Sequence, residues 1–182
     1  FYGGTMKRTL ILLILFLFFI AVGFTCGGRI EELHLDEGIS FNPLDTAVSA
    51  KFSKIFVNNI TYCALLVLGC GFITAPLLAL QGFLLGLPLG IWILNSKPFE
   101  EYLLLTLPHA VIEIPALLLA ASNGFTLLTI ICSYVKCESP QIKCQQWKGF
   151  IERLFLILFL ILIAAAIESF LTLKIYKGVW GT

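Results

Sequence analysis

The chain has 182 residues, of which 59% are hydrophobic and only 13% are charged, and its formal net charge is +1. Soluble globular domains are about 45–50% apolar and about 25% charged, so the composition indicates an integral membrane protein rather than a soluble one. The small net charge gives no basis for nucleic-acid binding, and the sequence contains neither a Walker-type phosphate loop nor a dinucleotide-binding fingerprint. We therefore expect one all-α polytopic domain over residues 6–182, with about five transmembrane helices in the lipid bilayer.

The N-terminal segment predicts the first span. Residues 1–5 precede the first Met and are expected to be an appended scar. Two basic residues and an apolar run then resemble a signal peptide, and Cys26 extends the likeness to a lipoprotein signal. The residues before Cys26 are a poor match to a cleavage site, however, so we predict an uncleaved helix over residues 9–26.

A glycine-rich helical hairpin is predicted next. Residues 55–96 form a stretch of 42 residues without a charged side chain. One span needs about 20 residues, so this stretch predicts two spans, over residues 55–74 and 77–95. Pro76 lies between them and predicts the tight turn.

The following apolar stretch, residues 102–135, is too long for one ordinary span and too short for two. Pro108 predicts a broken or re-entrant segment there, followed by a span over residues 108–134. Broken backbone at membrane depth is tolerated only where it is buried in protein or lines a cavity. A last span is predicted over residues 153–173.

The basic residues favour a cytoplasmic N-terminus in the cell membrane. Lys7 and Arg8 precede the first span, and basic residues also occur in the polar loop before the last span. The positive-inside rule places such residues in the cytoplasm. Cys137 and Cys144 flank this loop at a spacing that is not a zinc pattern, and the sequence leaves open whether they are paired.

Three glycines at a spacing of four, Gly82, Gly86 and Gly90, share one helix face. Such a ridge lets another backbone approach closely. The partner helix belongs either to the same chain or to a second copy, which would make the chain a homodimer through this face.

The other notable feature is a polar pair in an apolar stretch. His109 and Glu113 are four residues apart, so on a helix they share a face. Ionisable side chains in hydrocarbon are costly and usually meet a partner, a water pocket or a function. We expect an intramembrane polar site in which Asn58 and Asn59 also take part. The pair is interpreted as a mutual polar lock between helices, with a proton or ion site and a catalytic or metal site as alternatives.

No cofactor, metal or catalytic residue is expected. Metal sites need three or four ligands, and His109 lacks the second histidine of a His-Glu-x-x-His helix. Glu168, near the end of the last span, is expected to reach the interface or to pair with Lys174 or Lys177.

Residues 50–125 resemble the stage II sporulation protein M family. The likeness rests on the Phe-x-Asn-Asn entry ending at Asn59, the glycine-rich hairpin through Gly90, and the Pro-His-x-x-x-Glu-x-Pro segment of residues 108–115. Ala110 stands where the family usually has glycine.

The resemblance implies a multi-span bundle without established chemistry. In spore formers, such a protein is a scaffold that recruits peptidoglycan-degrading partners. Relatives also occur in archaea and in circular-bacteriocin gene clusters, where they are linked to maturation, export or self-protection. We therefore expect a non-enzymatic scaffold that assembles with other membrane proteins. The alternative is a component of a small solute, peptide or ion transporter or channel.

Overall fold

The protein is a bundle of helices in the computed structural model, which describes residues 2–30, 48–94, 99–136 and 139–172. All regular structure in these ranges is helical. The elements are α1 (Tyr2–Ile30), α2 (Val48–Leu68), α3 (Thr74–Leu94), α4 (Phe99–Val135), α5 (Pro140–Ala166) and a π-helix (Ile167–Thr172) that continues α5. The prediction of an all-α fold is confirmed.

Four of the described helices are long and apolar enough to cross a membrane. The four spans are Lys7–Arg29, Thr74–Ile93, Thr106–Val135 and Pro140–Phe170. The apolar part of α2, Phe52–Leu68, is 17 residues long, which is at the lower limit of the roughly 17–25 residues of a membrane-spanning helix. The chain is thus a multi-pass membrane protein. Four of the five predicted spans correspond to described helices that meet this criterion, and the remaining predicted span corresponds to α2.

Helices α1 and α3 run parallel to each other, and α4 runs antiparallel to α1 and to α5. Arg8 of α1 donates a hydrogen bond to Thr129 Oγ1 of α4 at 3.5 Å, so the start of α1 lies beside the end of α4. The side chain of Asn123 in α4 donates to the carbonyl oxygen of Phe150 in α5 at 3.3 Å. The start of α5 therefore lies at the same end of the bundle, which we call the basic end. It carries Lys7, Arg8, Lys136, Lys143 and Lys148.

The turn between α2 and α3 is not at Pro76, and this prediction is wrong. The chain turns at residues 69–73, where Cys70 and Gly71 have φ values of 47° and 81°. Thr74 Oγ1 closes the turn by donating to the Leu66 carbonyl at 2.7 Å and accepting from the Gly71 N–H at 3.0 Å. Pro76 lies in the first turn of α3, where the N–H groups have no intrahelical partner and a proline costs no hydrogen bond.

The break predicted at Pro108 is also wrong, because α4 is one continuous helix through Pro108 and Pro115. Each proline removes one backbone hydrogen bond, and membrane helices tolerate this where neighbouring groups compensate. The helix also begins at Phe99, earlier than the predicted 108. Residues 99–135 therefore form one helix, with no re-entrant segment before the span.

Helix α4 forms the centre of the bundle and contacts α1, α2, α3, α5 and the π-helix. Its middle turns are built from small side chains, and Ala116, Ala120 and Ala121 are fully buried. A Cβ atom on Gly124 would lie 2.8 Å from Thr74 Oγ1, so the turn before α3 sits directly on the α4 backbone. Small residues permit such close approach in membrane bundles.

Candidate functional site

The glycine ridge of α3 faces α1 of the same chain. A Cβ atom on Gly82 would lie 2.6 Å from the carbonyl oxygen of Phe16, and Cβ atoms on Gly86 and Gly90 would collide with the carbonyl oxygens of Ile20 and Phe24. Of the two alternatives for this face, the geometry favours packing within the chain. A dimer through the same face would have to displace α1.

Helix α1 contributes glycines of its own to this contact. Cβ atoms on Gly23 and Gly27 would collide with the carbonyl oxygens of Phe83 and Leu87 in α3. The two backbones therefore interlock from both sides, which makes α1 and α3 one rigid layer of the bundle. Gly23 and Gly27 were not predicted to be packing residues. Their spacing of four residues is the same signal of close helix packing that the ridge glycines of α3 carry.

His109 and Glu113 lie on α4 one turn apart, and both side chains are half-buried. The Nδ1 atom of His109 is buried and has no hydrogen-bond partner. Within the described residues, no hydrogen bond or ion pair joins His109 to Glu113. The pair therefore shares a helix face, and its interpretation as a polar lock between helices stays a prediction.

Glu168 of the π-helix is an ionisable group from another element in the neighbourhood of both side chains. Its carboxylate acts electrostatically on both His109 and Glu113, and Glu113 acts in turn on the thiol of Cys63 in α2. We call His109, Glu113, Glu168 and Cys63 the polar cluster. It joins three elements of the bundle at membrane depth.

Glu168 lies in the first turn of the π-helix. The wider turn changes the direction of side chains relative to a continued α-helix, and such turns are frequent at functional sites. Ser169 anchors it from a fully buried position, since its Oγ donates to the Ala165 carbonyl at 2.8 Å and lies 3.1 Å from that of Ala166. The expected partners of Glu168, Lys174 and Lys177, lie outside the described residues.

Asn58 and Asn59 are not joined to His109 or Glu113 by any hydrogen bond in the described part of the chain. Asn58 is exposed on α2 and Asn59 is half-buried. That Asn58 and Asn59 share a site with His109 and Glu113 stays a prediction, and Glu168 is a further ionisable group near the last two. The signal for Glu168 was present in the sequence, because it is a carboxylate inside an apolar run, as Glu113 is.

Chemically, the polar cluster offers two carboxylates and an imidazole, which can bind a proton or a cationic group. Among the described residues, no group of three or more His, Cys, Asp or Glu side chains is arranged to hold a metal ion. Nor does any hydrogen bond there link Cys63 to His109, the base that a nucleophilic thiol would require. Cys137 lies outside the described residues, and Cys144 is exposed.

A cavity of about 530 Å³ lies next to the polar cluster, between α2, α4 and α5. Its walls are apolar side chains, and Cys63 is the member of the polar cluster that reaches it. Asn58, Asn59, His109 and Glu113 do not line this cavity. It is therefore a hydrocarbon-like space rather than a water-filled path past the polar cluster.

Comparisons with known proteins identify the family. The family model described as Stage II sporulation protein M matches residues 11–173. An uncharacterized protein of Methanocaldococcus jannaschii is 32% identical over 133 residues, which cover 70% of this chain and 74% of the relative. A second uncharacterized protein of that organism is 29% identical over 126 residues, covering 68% of this chain and 56% of its own length.

No solved structure matches the chain significantly. The matched region includes the glycine ridge, the polar cluster and all four candidate spans except the first residues of α1. The resemblance inferred from residues 50–125 is thus confirmed and extends over most of the sequence. The chain belongs to the stage II sporulation protein M family.

Proposed function

We propose that the chain is a non-enzymatic membrane protein that assembles with other membrane proteins, and that the polar cluster is its contact with them. The observation that carries this proposal is the placement of His109, Glu113 and Glu168 together in the bilayer without a described cationic partner. Carboxylates in hydrocarbon are costly unless they are neutralised or paired. A cationic or hydrogen-bonding side chain from a partner helix would compensate them.

Rigidity of the remaining bundle supports a scaffold. The α1–α3 layer is interlocked backbone against backbone, and the turn between α2 and α3 is seated on α4 through Thr74 and Gly124. A bundle held this closely presents its partners with a fixed surface. The basic residues of the basic end, most of them exposed, support a cytoplasmic N-terminus.

The alternative function is a component of a small solute, peptide or ion transporter or channel, which includes roles in bacteriocin maturation, export or immunity. It is favoured by the same carboxylates, because clustered Glu and His side chains form proton relays in pumps and transporters. The apolar lining of the described cavity weighs against a hydrophilic solute.

The test is co-purification from native membranes with affinity-tagged protein. Glu113→Gln and Glu168→Gln should each reduce the recovery of a co-purifying membrane protein by about tenfold or more, since one lost charged hydrogen bond is worth about 1.5–3 kcal/mol. Glu100→Gln, an exposed carboxylate in the first turn of the same helix, is the matched control and should leave recovery unchanged.

Equal recovery in all three variants and wild type would overturn the assembly proposal. The transporter alternative has its own readout in the same set of proteins. The purified protein is reconstituted in liposomes, and the flux of protons or potassium is measured. A flux that Glu113→Gln abolishes and Glu100→Gln does not would establish the alternative instead.

A further inference from the structure

The cavity between α2 and α5 is an open slot in the side of the bundle. It is lined by α5 side chains from Trp147 to Leu158 and by α2 side chains from Ile60 to Leu68, with Leu127 of α4 as its floor. Its volume of about 530 Å³ lies within the roughly 300–1,000 Å³ typical of ligand sites. Because both walls are membrane helices with apolar linings, the slot favours an apolar occupant.

The length of the slot matches one leaflet of a bilayer. From Trp147 to Leu158, a helix advances about 16 Å at a rise of 1.5 Å per residue. The hydrocarbon core of a bilayer is about 30 Å thick, so the slot extends from one interface to near the midplane. One acyl chain of a phospholipid spans the same depth.

The mouth of the slot is aromatic and cationic. Trp147 Nε1 donates to the Tyr134 hydroxyl at 3.2 Å, and its ring packs edge-on against Phe150 at 5.5 Å. The Nζ atom of Lys143 lies 4.6 Å above the Tyr134 ring. These contacts run without a gap from a cation at the basic end to the apolar wall, and Trp and Tyr are the residues that mark membrane interfaces.

We propose that this slot binds one acyl chain of an anionic phospholipid, with the headgroup phosphate at Lys143. Among the described residues, no ion pair occupies Lys143, so its charge is available to a ligand. The nearby Lys148 has Glu152 one turn further along α5, which reduces its attraction for an anion. Basic pockets between membrane helices are the sites where anionic headgroups bind.

The experiment is native mass spectrometry of protein released from nanodiscs of phosphatidylglycerol or phosphatidylcholine with identical acyl chains. Wild-type protein should retain one lipid, and phosphatidylglycerol about fivefold more than phosphatidylcholine, because one lysine near the surface is worth about a factor of five for an anionic lipid. Lys143→Gln should bring the two lipids to similar retention. Lys54→Gln, an exposed lysine of α2 outside the slot, should keep the wild-type preference.

A second pair of variants tests the slot itself. Ala64→Phe fills the α2 wall and should lower retention of both lipids at least fivefold, whereas Val57→Phe, on the exposed face of α2, should not. Equal retention of both lipids by wild type, or lipid retention unchanged in Ala64→Phe, would overturn the proposal. A dimer that Ala64→Phe dissociates would also overturn it, since a second copy of the chain would then occupy the slot.

Discussion

Gly86 of α3 lies so close to Ile20 of α1 that a Cβ atom on the glycine would collide with the isoleucine carbonyl oxygen. The contact joins two backbones rather than two side chains. In a bilayer, where burial of apolar side chains drives helix association only weakly, such packing is a main source of stability. The α1–α3 layer therefore depends on the absence of side chains at the glycines.

Gly86→Ala is expected to destabilise the protein by about 1–3 kcal/mol, because the added methyl group forces two backbones apart. The measurement is the thermal unfolding midpoint of the purified protein in detergent. Gly149→Ala is the matched control, since a Cβ atom there meets nothing within 4 Å. Similar midpoints for the two variants would show that α1 and α3 are not in backbone contact.

Thr74→Val is expected to loosen the turn between α2 and α3. The variant keeps the shape of the side chain but leaves the Leu66 carbonyl and the Gly71 N–H without their partner, at a cost of about 1–3 kcal/mol. Unfolding in denaturant measures the loss. Thr25→Val, at an exposed position of α1 where the hydroxyl donates only to the Val22 carbonyl, should change the midpoint little.

Glu113→Gln is expected to leave the thermal stability of the purified chain unchanged or raised. The Glu113 carboxylate lies near the carboxylate of Glu168, so replacing it by the glutamine amide removes no favourable ion pair. The amide is also less costly in hydrocarbon than the carboxylate. Functional groups commonly lower stability in this way. A midpoint lowered by as much as in Thr74→Val would instead identify the polar cluster as a structural lock of the bundle.

The basic end of the bundle is expected to face the cytoplasm. A variant that retains Cys144 as its one cysteine tests this, because Cys144 is exposed in the first turns of α5. In intact cells, a membrane-impermeant maleimide should label it only after permeabilisation. A variant with Cys26 alone, near the opposite end of α1, should be labelled in intact cells. Labelling of Cys144 in intact cells would show that the basic end faces outward.

Composition and spacing were sufficient to predict the all-α membrane class and the close-packing face of α3. Three glycines four residues apart leave one helix face without side chains, which favours a close backbone contact. The sequence does not say which helix supplies the other backbone. That choice depended on the matching glycines Gly23 and Gly27, which interlock with α3 in the structure.

Prolines were misleading for a physical reason. Pro76 and Pro108 signal a missing N–H, but the sequence does not distinguish a first turn, where that loss costs nothing, from a helix interior, where membrane helices can absorb it. The approach of Glu168 to Glu113 could not be predicted either. It depends on the antiparallel course of α4 and α5 and on the π-helix, both of which are tertiary features.

The central claim is that the polar cluster contacts another membrane protein. Photo-cross-linking in living cells tests it most directly, with a photoreactive residue at Ala110, between His109 and Glu113, and at Ile131, exposed near the other end of α4. The account predicts a protein adduct of defined mass from position 110 and a weak adduct or none from position 131. The adduct from position 110 should be lost when Glu113→Gln is added. Adducts with lipid alone at position 110, or a protein adduct indifferent to Glu113→Gln, would contradict it.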